Sequence, residues 1–261
     1  MLKPKISIIT INYNNYEGLK KTFESIEAQT WNGYEYIVID GDSNDDSTVY
    51  LESIADKVDY WVSEPDKGVY DAMNKGIKKA NGDYLIFLNS GDHFYNDSVL
   101  EKNVKHIEAS DITYFNLRVI GETENFIKEY PDTLSFAYFV KDTLPHPATF
   151  IKKEVFDKVG LYDENLKIVS DWKFFMDSIC KNNISYKKIN APLSTFYLDG
   201  MSSNSNNKRV IVNERQQVLN TEYGAFVRDL EDVLKYRTII SGLRQSRIIN
   251  LLVKLGFLHK I

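Results

Sequence analysis

The chain has little cysteine and little histidine: one Cys, Cys180, and four widely scattered His in 261 residues. A lone thiol cannot form an internal disulfide and the histidines show no zinc spacing, so a disulfide-stapled or zinc-stapled scaffold is excluded and a reducing compartment is expected. Basic charge is also short, with 32 Lys and Arg against 37 Asp and Glu, and the net charge of −5 argues against a general nucleic-acid binder. No apolar run approaches the roughly 20 residues that span a bilayer. Met1-Leu2-Lys3-Pro4-Lys5 leads into a strand pattern without the apolar core of a signal peptide. The expected location is cytoplasmic, or peripheral at the inner membrane face. No internal repeat is present.

What remains is an ordinary globular composition, 43% hydrophobic and 26% charged, in a chain long enough for one large α/β domain with an appendage. Ile6 to Thr10 is a β-branched run, followed by the polar loop Asn12-Tyr13-Asn14-Asn15 and a helical pattern that puts Leu19, Phe23 and Ile26 on one face. Strand signals recur at Glu35 to Asp40, Tyr60 to Ser63 and Tyr84 to Leu88, with helices between them, the clearest from Val69 to Ala80. That alternation predicts right-handed βαβ crossovers and a mostly parallel sheet flanked by helices. Later expectations are a helix over 98–109, a strand over 112–119, an irregular stretch from Gly121 to Pro147, a strand over 148–152, and a helix over 153–159. A helix over 171–181 with Phe174, Phe175 and Ile179 inward and two short strands, 185–189 and 195–198, complete this part. Met201 to Asn207 reads as a polar loop, a linker or lid.

The run Tyr84-Leu85-Ile86-Phe87-Leu88-Asn89-Ser90-Gly91-Asp92 is the centre of this pattern, since it reads as a buried strand that delivers Asp92 to the sheet's C-terminal edge. Ser-Gly-Asp is also ordinary turn chemistry. Three more polar clusters follow strands, at 10–14, 40–46 and 64–71, and a parallel sheet brings all four to one edge, where ligands bind in open α/β folds. No Gly-x-Gly-x-x-Gly follows the first strand and no Walker A sequence occurs, which excludes the usual dinucleotide and P-loop sites.

Taken together, Ile8-Ile9-Thr10-Ile11-Asn12-Tyr13-Asn14, Ser25-Ile26-Glu27-Ala28-Gln29-Thr30, Tyr36-Ile37-Val38-Ile39-Asp40-Gly41-Asp42-Ser43-Asn44-Asp45, Gly68-Val69-Tyr70-Asp71-Ala72-Met73-Asn74-Lys75-Gly76 and Leu88-Asn89-Ser90-Gly91-Asp92 resemble glycosyltransferase family 2. His146-Pro147-Ala148-Thr149-Phe150, Gly160-Leu161-Tyr162-Asp163-Glu164 and Ser170-Asp171-Trp172-Lys173-Phe174-Phe175 resemble the acceptor half of the same enzymes. The resemblance implies a GT-A fold, a Rossmann-like sheet with a nucleotide-sugar half over about 1–100 and an acceptor half over about 101–206. It also implies a nucleotide-sugar donor, Mg²⁺ or Mn²⁺, inversion at the anomeric carbon, and a glycan or lipid-linked acceptor of the bacterial surface-polysaccharide type.

In those roles Asp92 is the metal ligand, with Ser90 standing where the family carries a further acid and Gly91 between them. A hard cation bound through oxygen offsets the charge that grows on a leaving diphosphate. Thr10, Asn12 and Tyr13 pack on the base, and Asp40 or Asp42 accepts hydrogen bonds from base and ribose, the choice between them standing open. Both acids equally suit helix capping and turn formation. Asp66, Asn74 and Lys75 are further donor-side candidates, although Asn74 and Lys75 also suit a solvated helix face. Asp171 is the base that takes the acceptor hydroxyl's proton, its alternative role being a helix N-cap. Burial beside Trp172 is expected to raise its pKa. His146 and Trp172 are expected to face the acceptor, a purely structural histidine being the alternative.

The expected domains are 1–206 and a helical tail over 207–261. From Lys235 onward the tail carries Lys235, Arg237, Arg244, Arg247, Lys254 and Lys260 among apolar residues and no acid. Such a tail fits an anionic membrane surface, or packs its apolar face on the protein or on a second subunit in a homodimer. Two other functions are compatible with the sequence: a nucleotidyltransferase, and a nucleotide-sugar or glycan-binding module without turnover.

Overall fold

The structure, a computed structural model, describes residues 5–198, 200, 203–255 and 257, with the side chains of Ala109, Ser205 and Arg247 excepted. Residues 1–4 of the leader, Met201 and Ser202 of the polar loop, and Leu258 and Lys260 of the tail lie outside the described residues.

The chain runs β1 (Ile6–Asn12), α1 (Tyr16–Glu27), β2 (Tyr34–Asp40), α2 (Ser47–Ser53), β3 (Tyr60–Ser63), α3 (Val69–Lys79) and β4 (Tyr84–Phe87). β1 pairs in parallel with β2 on one side and β4 on the other, and β2 pairs in parallel with β3. The β1, β2 and β4 runs read as continuous apolar segments because helices cover both sheet faces. Ile8, Val38 and Leu85 are all fully buried. Leu19, Phe23 and Ile26 of α1 face inward as the helical spacing requires. The order β3-β2-β1-β4 reverses direction between β1 and β4, and a ligand crevice opens at such a switch point.

The second half continues through β5 (His93–Phe94), α4 (Val99–Asn103), β6 (Ile112–Ile120), β7 (Asn125–Lys128), α5 (Phe136–Phe139), β8 (Thr149–Lys152), α6 (Lys153–Val159), α7 (Ser170–Met176) and β9 (Tyr186–Tyr197). Here the pairing is mixed. β8 lies antiparallel to both β4 and β6, which makes β6 parallel to β4, and β9 is parallel to β6. The C-terminal ends of β1 to β4, β6 and β9 therefore share one edge.

Several expectations differ in detail. The helix over 98–109 is five α-helical residues followed by a 3-10 segment, and the helix over 171–181 turns into a π-helical segment at Asp177, leaving Ile179 half-buried. The two short strands after Ser185 are one strand, β9. Asn190-Ala191-Pro192 reads as a breaker but sits in a bulge, where the register to β6 shifts around Asn116 and Asn116 Nδ2 donates to Asn190 Oδ1 at 2.9 Å. β5 was not expected at all; its two residues pair antiparallel with Ser194 and Thr195 of β9.

Residues Met1–Glu214 form one compact unit and Arg215–Ile261 a second, so the division falls inside α8 (Lys208–Glu222) where composition placed it at 206/207. Glu214 belongs with the first unit because its carboxylate accepts the backbone N–H groups of Lys167 and Ile168 at 2.7 and 3.1 Å. The second unit continues through α9 (Gly224–Gln245) and α10 (Arg247–Lys254). Among the described residues no helix is long and apolar enough to cross a membrane.

One buried acid ties the far edge of the sheet. Glu35 of β2 accepts hydrogen bonds from Ser7 Oγ at 2.5 Å, from Asn81 N and from Gly82 N at 3.1 Å, and Asn81 Nδ2 adds another at 3.1 Å. Burial pushes its pKa up, but these four donors outweigh that and hold it below the ordinary glutamate value. Glu35→Ala is expected to lower the unfolding free energy by about 2 kcal/mol at neutral pH. A group with a depressed folded-state pKa stabilises above its unfolded-state pKa and loses that contribution as pH falls through the folded value. Urea denaturation should accordingly show the gap between wild type and variant closing only on acidification below the usual carboxylate range.

Candidate active site

At the donor edge, the sheet register brings Asn12 opposite Asp40 and Asp40 opposite Ser63. Asp40 is fully buried. Its Oδ1 accepts Asn12 Nδ2 at 2.7 Å and Ser43 Oγ at 2.6 Å, and its Oδ2 accepts Ser43 N at 2.9 Å and Ser63 Oγ at 2.6 Å. These four donors make Asp40 a support for the rim, and Asp42 is the exposed acid, held at φ 64° in the turn.

Thr10 and Asn12 are also supports. Thr10 is fully buried, donates to Leu88 O at 2.7 Å and receives the Tyr36 hydroxyl at 3.1 Å, so it does not reach a base. Asn12 is 4% exposed and its amide serves Asp40. Tyr13 alone of the three presents its ring, at 66% exposure. Asp66 lies across from it: a Cβ at Gly41 would collide with Asp66 Oδ2 and come within 3.3 Å of the Tyr13 ring, so only glycine leaves this slot open. Burial raises the Asp66 pKa, against the Gly68 N–H that it accepts at 2.8 Å and the charge of Lys75.

The other two donor-side candidates act differently. Asn74 is buried and clamps the 162–164 turn: Nδ2 donates to Tyr162 O and Glu164 Oε1, each at 2.9 Å, and Oδ1 accepts Tyr162 N at 3.0 Å. It is a structural residue with no face toward a donor. Lys75 pairs with Glu64 at 2.8 Å and donates to Pro65 O at 3.1 Å, fixing the loop that carries Asp66.

The turn from Asn89 to Asp92 is set by α1. Thr22 Oγ1 donates to Asp92 O at 2.7 Å and accepts Gly91 N at 3.0 Å, and Asn15 Nδ2 donates to Ser90 O at 3.1 Å. Gly91 sits at φ 106°, which L side chains rarely adopt. Asp92 is buried and Ser90 Oγ is a buried oxygen without a hydrogen-bond partner. Those two oxygens suit a hard cation. Among the described residues no three His, Cys, Asp or Glu side chains gather into a metal site, so a cation here needs diphosphate and water to complete its shell.

The Asp92 turn and Asp171 meet through His146. Asn89 Nδ2 lies 3.3 Å from His146 Nε2, and His146 Nδ1 lies 3.4 Å from Asp171 Oδ2. Tyr70 Oη donates to Asp171 Oδ1 at 2.9 Å. Asp171 is in the first turn of α7 and does not cap it; Val169 holds the cap position. Burial pushes the Asp171 pKa up, but the hydrogen bond and charge of His146 with the Tyr70 hydroxyl bring it below the usual aspartate value, contrary to the expected rise. For His146, burial pulls down while Asp171, and then Asp92, raise it, and the net direction is upward. Trp172, expected at the acceptor, is 1% exposed with its indole N–H on Phe139 O at 2.6 Å, so it anchors α7 in the core. Tyr70 and Asn89 escaped sequence reasoning as functional residues, although both lie in the motifs quoted above.

On the acceptor side, the β6–β7 turn and the end of β9 enclose a cavity of about 420 Å³ lined by Ile120, Glu122, Glu124, Tyr197 and Leu198 among others. It adjoins the Asp92 turn through β5, where the His93 and Tyr197 rings stand 5.6 Å apart.

Asp40→Ala should lower the unfolding free energy by about 3 kcal/mol by stranding buried donors, whereas Asp42→Asn should change it by less than about 0.5 kcal/mol. Denaturant melts of the two variants check this assignment of rim support and exposed acid.

An uncharacterised glycosyltransferase of Mycobacterium tuberculosis is 36% identical over 178 residues, covering 66% of this chain and 68% of that protein. A PGL/p-HBAD biosynthesis glycosyltransferase of Mycobacterium bovis is 30% identical over 181 residues, covering 67% and 69%. Residues 1–349 of S. aureus TarS, solved with UDP-GlcNAc, superpose with a TM-score of 0.63 at 17% identity, covering 84% of this chain and 67% of that one, which shows the GT-A fold. Residues 7–160 match the family described as Glycosyl transferase family 2, and with these relatives they establish that the chain is a glycosyltransferase belonging to that family.

Proposed function

We propose that the chain transfers a sugar, of hexosyl or N-acetylhexosaminyl type, from a nucleoside diphosphate, UDP by preference, to a hydroxyl of a glycan or lipid-linked acceptor, with inversion and with a divalent metal. The observation that carries this reading is the short path from the Asp92 turn through His146 to Asp171, which supports taking the Asp92 and Ser90 oxygens as the diphosphate side and Asp171 as the base of one site. The solved complexes of S. aureus TarS with UDP-GlcNAc and of PcManGT from Pyrobaculum calidifontis with GDP-Man and Mn²⁺ lend support from the same fold. The mycobacterial relative in PGL/p-HBAD biosynthesis supports a cell-surface glycan or glycolipid as product class.

In this reading the nucleotide base stacks on Tyr13 across the slot that Gly41 leaves open, with Asp42 and Asp66 at its rim. Asp92 and Ser90 hold the cation, Mg²⁺ or Mn²⁺, which offsets the charge developing on the leaving diphosphate. The acceptor lies over the cavity by Tyr197, its hydroxyl directed at Asp171. Asp171 takes that proton as the new glycosidic bond forms opposite the leaving group. Its lowered pKa keeps it ionised, and the acid limb of the rate profile should lie below the usual aspartate range.

Transfer should be measured as nucleotide release with Mn²⁺, after a screen of UDP-, GDP- and TDP-sugars for metal-dependent thermal stabilisation. Asp92→Ala and Asp171→Asn should each lower the rate at least about 100-fold. Unchanged transfer in both would end the mechanism. Pyrophosphate release would instead reveal a nucleotidyltransferase, and nucleotide binding without turnover a binding module.

Attachment to an anionic membrane surface is part of the proposal. In the second unit, Ile248, Leu251, Leu255 and Phe257 are exposed near Arg244 and Lys254, a pattern that suits a headgroup layer. Removing the residues after Lys235 should release the protein from phosphatidylserine vesicles in a flotation assay. Unaltered flotation would leave the homodimer as the use of this surface.

A further inference from the structure

The Asp171 carboxylate is gripped from the opposite half of the site. Its helix, α7, belongs to the acceptor half and is fixed there by the Trp172 indole on Phe139 O at 2.6 Å. Both of its oxygens, however, meet groups that lie in the donor half or touch it. Oδ1 accepts the hydroxyl of Tyr70, in the first turn of α3 directly after the loop that carries Asp66. Its one hydrogen is shared between Asp171 Oδ1 and Ile168 O, 2.6 Å away, and burial with the charge of Asp171 pushes its pKa well up, so it remains a donor. Oδ2 meets His146 Nδ1, and the other ring nitrogen of His146 faces Asn89 Nδ2, on the turn that carries Asp92. Nδ1 presents its hydrogen to Asp171, and Nε2 is held against the Asn89 amide.

We propose that Tyr70, His146 and Asn89 are positioning residues that register the base against the donor sugar, Tyr70 and His146 by fixing one carboxylate oxygen each and Asn89 by holding the other ring nitrogen of the histidine. This rests on the reading of Asp171 as the base. In-line attack requires the acceptor hydroxyl, the anomeric carbon and the leaving oxygen to align, and a misplacement of about 1 Å costs on the order of 100-fold in rate. A base held only by its own half would follow α7; a base held by α3 and the β4 turn follows the donor.

The test is steady-state transfer with Mn²⁺ and the UDP-sugar selected by the donor screen, with UDP affinity measured separately by calorimetry. Tyr70→Phe and Asn89→Ala should each lower kcat roughly 10- to 100-fold, while both KM values and the UDP Kd stay within about twofold. His146→Asn, which keeps a donor where Nδ1 was, should retain at least about fivefold more activity than His146→Ala. Added to the slow residual transfer of Asp171→Asn, Tyr70→Phe should change the rate by less than about twofold, because its effect acts through the missing carboxylate. Wild-type kcat in Tyr70→Phe and Asn89→Ala overturns the proposal. So do equal losses with and without Asp171, or losses that appear in UDP affinity, since either marks a merely structural role. Wild-type transfer by Asp171→Asn is a separate result and would remove the base assignment itself. Tyr70→Phe removes one oxygen without changing shape, so it decides the matter even where a His146 variant fails to fold.

Discussion

A buried carboxylate has to be surrounded by donors, and Asp40 meets that requirement by collecting them from three separate segments. Asn12 comes from the end of β1, Ser43 from the turn after β2, and Ser63 from the end of β3. The ends of three parallel strands are thereby held level, and the turn above them is forced outward. Tyr13 and Asp42 face solvent because the residues beside them do not. A buried charge shapes the exposed rim.

The first hundred residues were legible in the sequence because each βαβ unit carries its own local signal. β-branched runs mark β1 and β2, the 3.6-residue spacing marks α1, and Gly and Asp punctuate the turns. Which acid at 40 or 42 is buried was not legible. That depends on Ser43 and Ser63, whose hydroxyls have no preference readable from composition. The burial of Thr10, Asn12, Asn74 and Trp172 was not legible for the same reason: polar or aromatic residues at the end of a strand or on a helix look alike in sequence whether they face a ligand or complete an internal hydrogen-bond network. Asp66 and Tyr13 keep their candidacy because glycine at 41 leaves space between them.

The second half was read less well because its pairing is non-local. β8 pairs with β4 across more than sixty positions of chain and with β6 across more than thirty, and β9 contains a proline that sequence rules treat as a stop. A bulge resolves the conflict, with Asn116 Nδ2 donating to Asn190 Oδ1. The pKa of Asp171 was misjudged in a similar way. Burial does act in the expected direction, but two donors supplied by remote segments outweigh it, and neither can be counted from the residues flanking Asp171.

β5 consists of only two residues, yet it pairs the segment just after Asp92 with β9. So short a ladder opens at far lower free energy than the long parallel core beside it. Local opening at this seam would leave the β1, β2 and β4 ladders paired.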